Sequence, residues 1–191
     1  MSLVSERKSL KEDKMNIFFT SDTHFGHKNI IKYCNRPFND VNEMNEILIS
    51  RWNSKVNPDD LVYHLGDFSM RAVPEIRKRL NGDICLIRGN HDVDENFGFK
   101  SIKDYDEVIV HNQKIILFHY GLRTWHHDIR GVWHLYGHSH GLLPAYGKSL
   151  DIGVDSWHFY PVGFYDLKNK MGGMDIGKHP MWDNYVPKEN A

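Results

Sequence analysis

Histidine is the residue that stands out: 13 of 191 positions. It is the commonest protein metal ligand and the side chain best placed to move protons near neutral pH. Histidines recur with Asp, Asn and Gly in short clusters. These are Asp22-Thr23-His24-Phe25-Gly26-His27, Gly66-Asp67, Gly89-Asn90-His91-Asp92, His119-Tyr120-Gly121 and Gly137-His138-Ser139-His140. Carboxylate oxygens, an amide oxygen and imidazoles form a ligand set for Zn²⁺, Mn²⁺ or Fe, not for a thiolate site or a Ca²⁺ cage. Each cluster alone is weak: Asp-x-His occurs by chance, Gly-Asp and Gly-Asn often just mark turns, and His-x-His reads also as two surface histidines. Their joint recurrence points to a metal centre.

The elements that must position them are legible too. Each cluster follows a short apolar run: Ile17–Thr20, Leu61–Leu65, Ile84–Ile87, Ile115–Phe118 and Val132–Tyr136. Length and β-branched or aromatic content predict strands, and near-continuous apolarity predicts cover on both faces. Strand carboxyl ends are where open α/β sheets place their sites. Val41, Met44, Leu48 and Trp52 predict a helix, with Asn39 or Asp40 as its cap. Pro74 opens a second helix through Leu80, which Asn81-Gly82 ends. Val108–Val110 and Ile115–Phe118 flank His111-Asn112-Gln113-Lys114 as a hairpin, and Ser149–Val154 reads as a further strand. Helices early and hairpins late imply layered α/β with a mixed sheet, or two stacked sheets.

The ordered series Asp22-x-His24, Gly66-Asp67, Gly89-Asn90-His91-Asp92, His119 and Gly137-His138-x-His140 resembles the signature of the calcineurin-like metallophosphoesterases, in their small cap-less bacterial and phage form. The resemblance covers roughly Met15 to Leu167, with Gly153-Val154-Asp155 through Val162 as the closing segment. It implies an α/β fold, a four-layer α-β-β-α sandwich of two mixed β-sheets flanked by helices. It also implies two divalent ions (Mn, Fe, Zn or Ni). Asp22, His24 and His140 would hold the first, Asn90, His119 and His138 the second, and Asp67 would bridge them. Asn90 would also meet substrate. His91 would be no ligand but would face the scissile phosphate as the catalytic residue. Many members carry a second Asp in the Gly-Asp motif that orients this histidine; Met70 stands there in this chain. Asp92 is the candidate replacement. Two cations roughly 3.5–4 Å apart clamp a phosphate and share a hydroxide that attacks phosphorus in line.

Arg36 and His27 are candidate contacts to a substrate phosphate, with a salt bridge and a helix-terminal role as their structural alternatives. His64 reads as a buried core histidine. Arg123, His126 and His127 read as solvent-exposed by default, and Trp157, His158 and Tyr160 as packing. There are 24 basic and 25 acidic side chains, so no global field steers the chain to nucleic acid or a membrane. Arg77-Lys78-Arg79 reads as a solvated helix face. Of the phosphate esters that the resemblance implies, a small molecule or nucleotide is therefore the expected partner. A nuclease is the alternative, and a non-catalytic protein-binding scaffold a third reading. Cys34 and Cys85 make no disulfide framework, which fits a reducing cytoplasm. Residues 1–14 are charged and aperiodic, and read as a loose leader without a secretory signal, Met15 being a candidate natural start. Residues 15–170 read as the metallophosphoesterase domain. Residues 171–191 read as an irregular tail pinned onto it by Trp182 and Tyr185.

Overall fold

Strands covered on both faces need apolar side chains at successive positions, and the first three runs supply them. In the computed structural model, which describes residues 15–70, 73–93 and 95–176, they form β1 (Ile17–Thr20), β2 (Leu61–His64) and β3 (Asp83–Ile87). These pair in parallel. Two short strands missed by the apolar-run criterion extend the sheet: β4 (Ser101–Lys103), parallel to β3, and β9 (Val162–Gly163), antiparallel to β1. The order is β4-β3-β2-β1-β9.

The second sheet runs β5 (Tyr105–Val110), β6 (Gln113–Phe118), β7 (Trp133–Tyr136) and β8 (Ser149–Asp151), in that order. The β5–β6 pair is antiparallel and the other two pairs are parallel. The hairpin turn is tighter than the four residues expected. Only His111 and Asn112 connect the strands, at φ 46° and 66°, as a twist-matched two-residue turn requires.

The two sheets pack face to face. Phe19, Leu65 and Ile87 meet Ile115, Leu117, Trp133, Leu135 and Leu150 in one core. The alternate face of the first sheet, including Val62, Ile84 and Leu86, packs under a helix. That helix, α2 (Val41–Lys55), buries Met44, Leu48, Ile49 and Trp52. Its cap is Asp40, whose carboxylate accepts from the Asn42 and Glu43 amides at 2.8 and 2.9 Å. A short α1 (Ile30–Tyr33) precedes it. Helix α3 (Val73–Arg77) stops short of the expected Leu80. Arg77 donates to the carbonyls of Leu80 and Gly82 at 3.0 and 2.8 Å, which turns the chain early. Helix α4 (Phe164–Gly172) carries Phe164, Leu167 and Met171 into the core between the sheets. It runs two residues past the domain limit of 170. Outside the second sheet, Trp125 and Val132 of the β6–β7 connection cover Ile116. The leader and the anchoring of the tail by Trp182 and Tyr185 lie outside the described residues.

Candidate metal centre

The loops following β1, β2, β3, β6 and β7 meet at one rim of the sandwich. Backbone bonds fasten the first two: Asp22 N–H to Gly66 O at 3.0 Å, and His24 N–H to Asp67 O at 2.9 Å. The approach leaves no space for side chains. A Cβ on Gly66 would stand 2.5 Å from both the Gly89 nitrogen and His119 Nδ1, and its φ of +94° already excludes most residues. Asp22, His24, Asp67, His138 and His140 all have positive φ between 47° and 65°. Such backbone is costly for non-glycine residues and collects at functional sites.

Among the described residues three groups of ligand atoms result, one of them Cys34, His140 and Asp155. Those of Asp22, His24 and His140 lie within 4.8 Å of one another, as do those of Asp67, His119 and His138. Asp67 joins the latter two groups. Its Oδ2 lies 3.3 Å from His24 Nε2 and 3.6 Å from His119 Nε2. Neither contact is a hydrogen bond, and both imidazole nitrogens are buried without a partner among the described residues. Buried polar atoms are rarely left so. Two of them aimed at one carboxylate oxygen fit a pair of bound cations.

The surroundings fix which nitrogens face inward. His119 Nδ1 donates to Leu65 O at 2.7 Å, leaving the Nε2 lone pair toward Asp67. His140 Nδ1 bonds Asp155 Oδ2 at 2.8 Å, leaving its Nε2. His24 Nδ1 meets His27 Nδ1 at 3.3 Å. Ligating histidines are commonly held this way through their other nitrogen. The Asp67 carboxylate is steadied at Oδ1 by the His91 amide, 3.0 Å away. Asp22 accepts from the His138 amide at 3.0 Å.

The charges confirm how costly the rim is without cations. Burial pushes the Asp22 carboxyl up to about 8, partly offset by His140. Burial, helped by Arg36, pushes His24 down to about 2. His119 is lowered by burial against the pull of Asp67. Burial is the largest influence on His140 and works against its charge, but the bonds to Asp155 and Cys34 and the charge of Asp22 together outweigh it and hold that ring at about 10. A buried carboxyl that resists ionisation and imidazoles that resist protonation are groups on which a cation replaces the missing solvation.

The remaining expected residues take these places. His91 is exposed, its ring 5.4 Å from that of His24, on the wall of a cleft of about 640 Å³. His27 lines the same cleft. Asn90 is exposed, and its Oδ1 accepts from the Tyr120 hydroxyl at 3.5 Å. Asp92 does not bond the His91 ring among the described residues. Its carboxylate accepts three backbone amides, of Asp67 at 2.7 Å and of Phe68 and Gly89 at 2.8 Å, and so ties the second and third loops together. His64 is a core histidine, 2.9 Å from Thr23 Oγ1.

Arg36 needs a correction. Its side chain has no exposed surface and cannot meet a substrate. Nε and Nη2 grip Asp155 at 2.8 Å each, while Nη1 and Nη2 donate to Thr23 O and Asp22 O at 3.0 and 2.6 Å. The guanidinium holds Asp155, which holds His140. Asp155 and Asp151 are the site residues that motif reading passed over. Asp151 accepts from Ser139 Oγ and Gly141 N at 2.9 Å each and so shapes the loop of His138 and His140. The available signal was confined to Asp151, an acidic residue ending the short strand β8; Asp155 lies in the turn beyond it.

Two mixed sheets packed face to face, with paired histidine–carboxylate groups on one rim, define a metal-dependent phosphoesterase. The calcineurin-like phosphoesterase superfamily domain matches residues 15–157. The chain belongs to that superfamily, whose members hydrolyse phosphoric esters. It is 39% identical over 159 residues to an uncharacterized protein of Methanocaldococcus jannaschii, covering 76% of this chain and 85% of that one. It is 40% identical over 84 residues to the gene 66 protein of Mycobacterium phage L5, 40% of either chain. The crystal structure of a protein of unknown function from Aquifex aeolicus shares the fold, with TM-score 0.67 and 23% identity over 82% of this chain and all of that one. Among the described residues no helix is long and apolar enough to cross a membrane.

Proposed function

We propose that this protein is a dinuclear phosphoesterase acting on phosphate mono- or diesters of a small molecule or nucleotide. The observation that carries the reading is Asp67 Oδ2, which lies 3.3 and 3.6 Å from two buried imidazole nitrogens that have no hydrogen-bond partner among the described residues. Asp22, His24 and His140 would hold one divalent ion and Asn90, His119 and His138 the other, with Asp67 between them. Such ions supply charge stabilisation for the phosphoryl oxygens and acidify water enough for attack near neutral pH. Imidazole and carboxylate donors suit Mn, Fe, Zn or Ni, and availability decides among them.

The protein's own groups account for the rest. Leu65 O and Asp155 hold His119 and His140 through their Nδ1 atoms and so turn Nε2 of each toward the site; on His140, held protonated at about 10, a cation entering there would displace the Nε2 proton. His91 stands over the cleft with its ring open to solvent. There it protonates the departing alkoxide or donates to the equatorial oxygens as charge gathers on them. Residues 15–170 would form the catalytic domain. The half-buried free thiols of Cys34 and Cys85 suit a reducing cytoplasm.

A nuclease calls for a basic groove. Arg77 is engaged with the Leu80, Gly82 and Gly98 carbonyls, and Arg79 with Glu46, so this part of the basic run does not favour that reading. A binding scaffold would have little use for two convergent groups of imidazole and carboxylate donors. The test is turnover of p-nitrophenyl phosphate against bis-p-nitrophenyl phosphate after Mn²⁺ loading. The expected result is metal-dependent release of p-nitrophenol from at least one. No turnover of either, with two ions demonstrably bound, would sink the proposal.

A further inference from the structure

The cleft above the metal centre is larger than a phosphate needs, and its far wall has a different chemistry. Besides Asp67 and the five histidines of the rim, it is lined by Ile30, Tyr33, Cys34, Asn35, Met70 and Leu142. Three of these apolar side chains are unusually open to water: Tyr33 is 73% exposed, Met70 41% and Leu142 88%. Tyr33 stands at the end of α1, its ring edge-on to His27 with centroids 6.3 Å apart. It therefore continues the row of rings that starts at the metal groups. Asn35, two residues on, is exposed and held at φ 49°. Its amide makes no hydrogen bond among the described residues.

We propose that Tyr33, Asn35, Met70 and Leu142 form the subsite for the organic half of the substrate, and that this half is a nucleoside. The inference rests on the phosphoesterase reading of the adjoining centre. An exposed aromatic ring offers a stacking face to a planar base, whatever its sequence identity. The uncommitted amide of Asn35 offers both a donor and an acceptor to a base edge. Met70 and Leu142 supply apolar cover, and a methionine adapts to irregular shapes. An alkyl ester would use the apolar cover but would have no partner for the amide. A cleft of about 640 Å³ has room for a phosphate and a nucleoside together.

The experiment compares competitive inhibition by thymidine 5′-phosphate, methyl phosphate and octyl phosphate, in the Mn²⁺-loaded enzyme, against whichever p-nitrophenyl ester it turns over. Thymidine 5′-phosphate should bind about 10-fold or more tightly than methyl phosphate, the scale of one base–aromatic stack. Tyr33→Ala and Asn35→Ala should bring that ratio toward one, and Tyr33→Phe should restore it. Tyr33 is so exposed that its removal opens no core cavity. Equal inhibition by thymidine and methyl phosphates would overturn the subsite, as would tighter binding of octyl phosphate or a Tyr33→Ala variant with an unchanged ratio. Absence of turnover counts against the phosphoesterase reading alone. In that case calorimetric titration of thymidine 5′-phosphate and methyl phosphate into the protein decides the subsite by the same ratio.

Discussion

Asp67 and His91 do different work although the His91 amide touches the Asp67 carboxylate. Asp67→Asn removes the negative charge between two proposed cations, which then repel at short range. The expected outcome is loss of bound metal together with turnover, read by elemental analysis and p-nitrophenol release. Full activity and full metal content in that variant would contradict the bridge. His91→Ala should instead keep the metals and slow turnover by roughly 10²–10⁴-fold, the usual contribution of a positioned acid or base. The loss should fall on kcat more than on KM, because the group acts as the leaving oxygen gains charge. It should be smallest for p-nitrophenolate, which needs little protonation. An equal loss for good and poor leaving groups would move His91 to the equatorial oxygens, and loss of metal would make it a ligand.

At the scale of elements, the rim depends on acidic side chains that bind loops rather than cations. Asp92 accepts three amides from two loops. Hydrogen bonds to a charged acceptor contribute about 1.5–3 kcal/mol each, and amides left buried without an acceptor add a penalty. Asp92→Ala should therefore lower stability by several times as much as Asp40→Ala. The latter removes an exposed helix cap worth about 1 kcal/mol. Denaturant unfolding of both variants measures the ratio, and equal losses would contradict the clamp. Arg36→Met tests the buried pair behind His140. Breaking such a pair typically costs about 3–5 kcal/mol, and metal content should fall with it, because Asp155 would no longer hold the imidazole.

At the scale of the molecule, stability should follow metal and pH. Ions bound only to the folded chain stabilise it by mass action. Chelation should lower the Tm, and Mn²⁺ should restore it at a stoichiometry of two per chain; saturation at one would end the dinuclear reading. Burial, helped by His119, holds His64 at about 3, and burial holds His134 at about 4 against its carbonyl bonds. Their ordinary value is 6.5. Below that value the unfolded chain takes up protons that the folded chain refuses. The stability these two residues contribute is thus complete above pH 6.5 and is lost as the pH falls toward 4 and 3. Each gives a slope of up to about 1.4 kcal/mol per pH unit. His134→Gln should flatten the acid limb of a stability–pH curve, and an unchanged limb would contradict the assignment.

The sequence alone determined the central strands and the order of the clusters behind them, because apolar runs and turn residues are local signals. Ile17–Thr20 is β1 as read, and Met44, Leu48 and Trp52 of the α2 stripe are buried as their spacing required, with Val41 partly so. It did not determine β4 or β9, whose pairing comes from neighbours rather than composition. Nor could it separate Arg36 facing a phosphate from Arg36 buried against Asp155, 119 residues away. A guanidinium has the same fork for either anion, and only packing decides which one stands in front of it. Tertiary structure likewise set Asp92 on backbone amides instead of the His91 ring. It also brought Tyr33 of α1 and Leu142, a residue beyond the last histidine loop, to the walls of one cleft. The loops that carry the ligands are specified by local turn chemistry. What faces what across the rim is specified by the two sheets that hold those loops together.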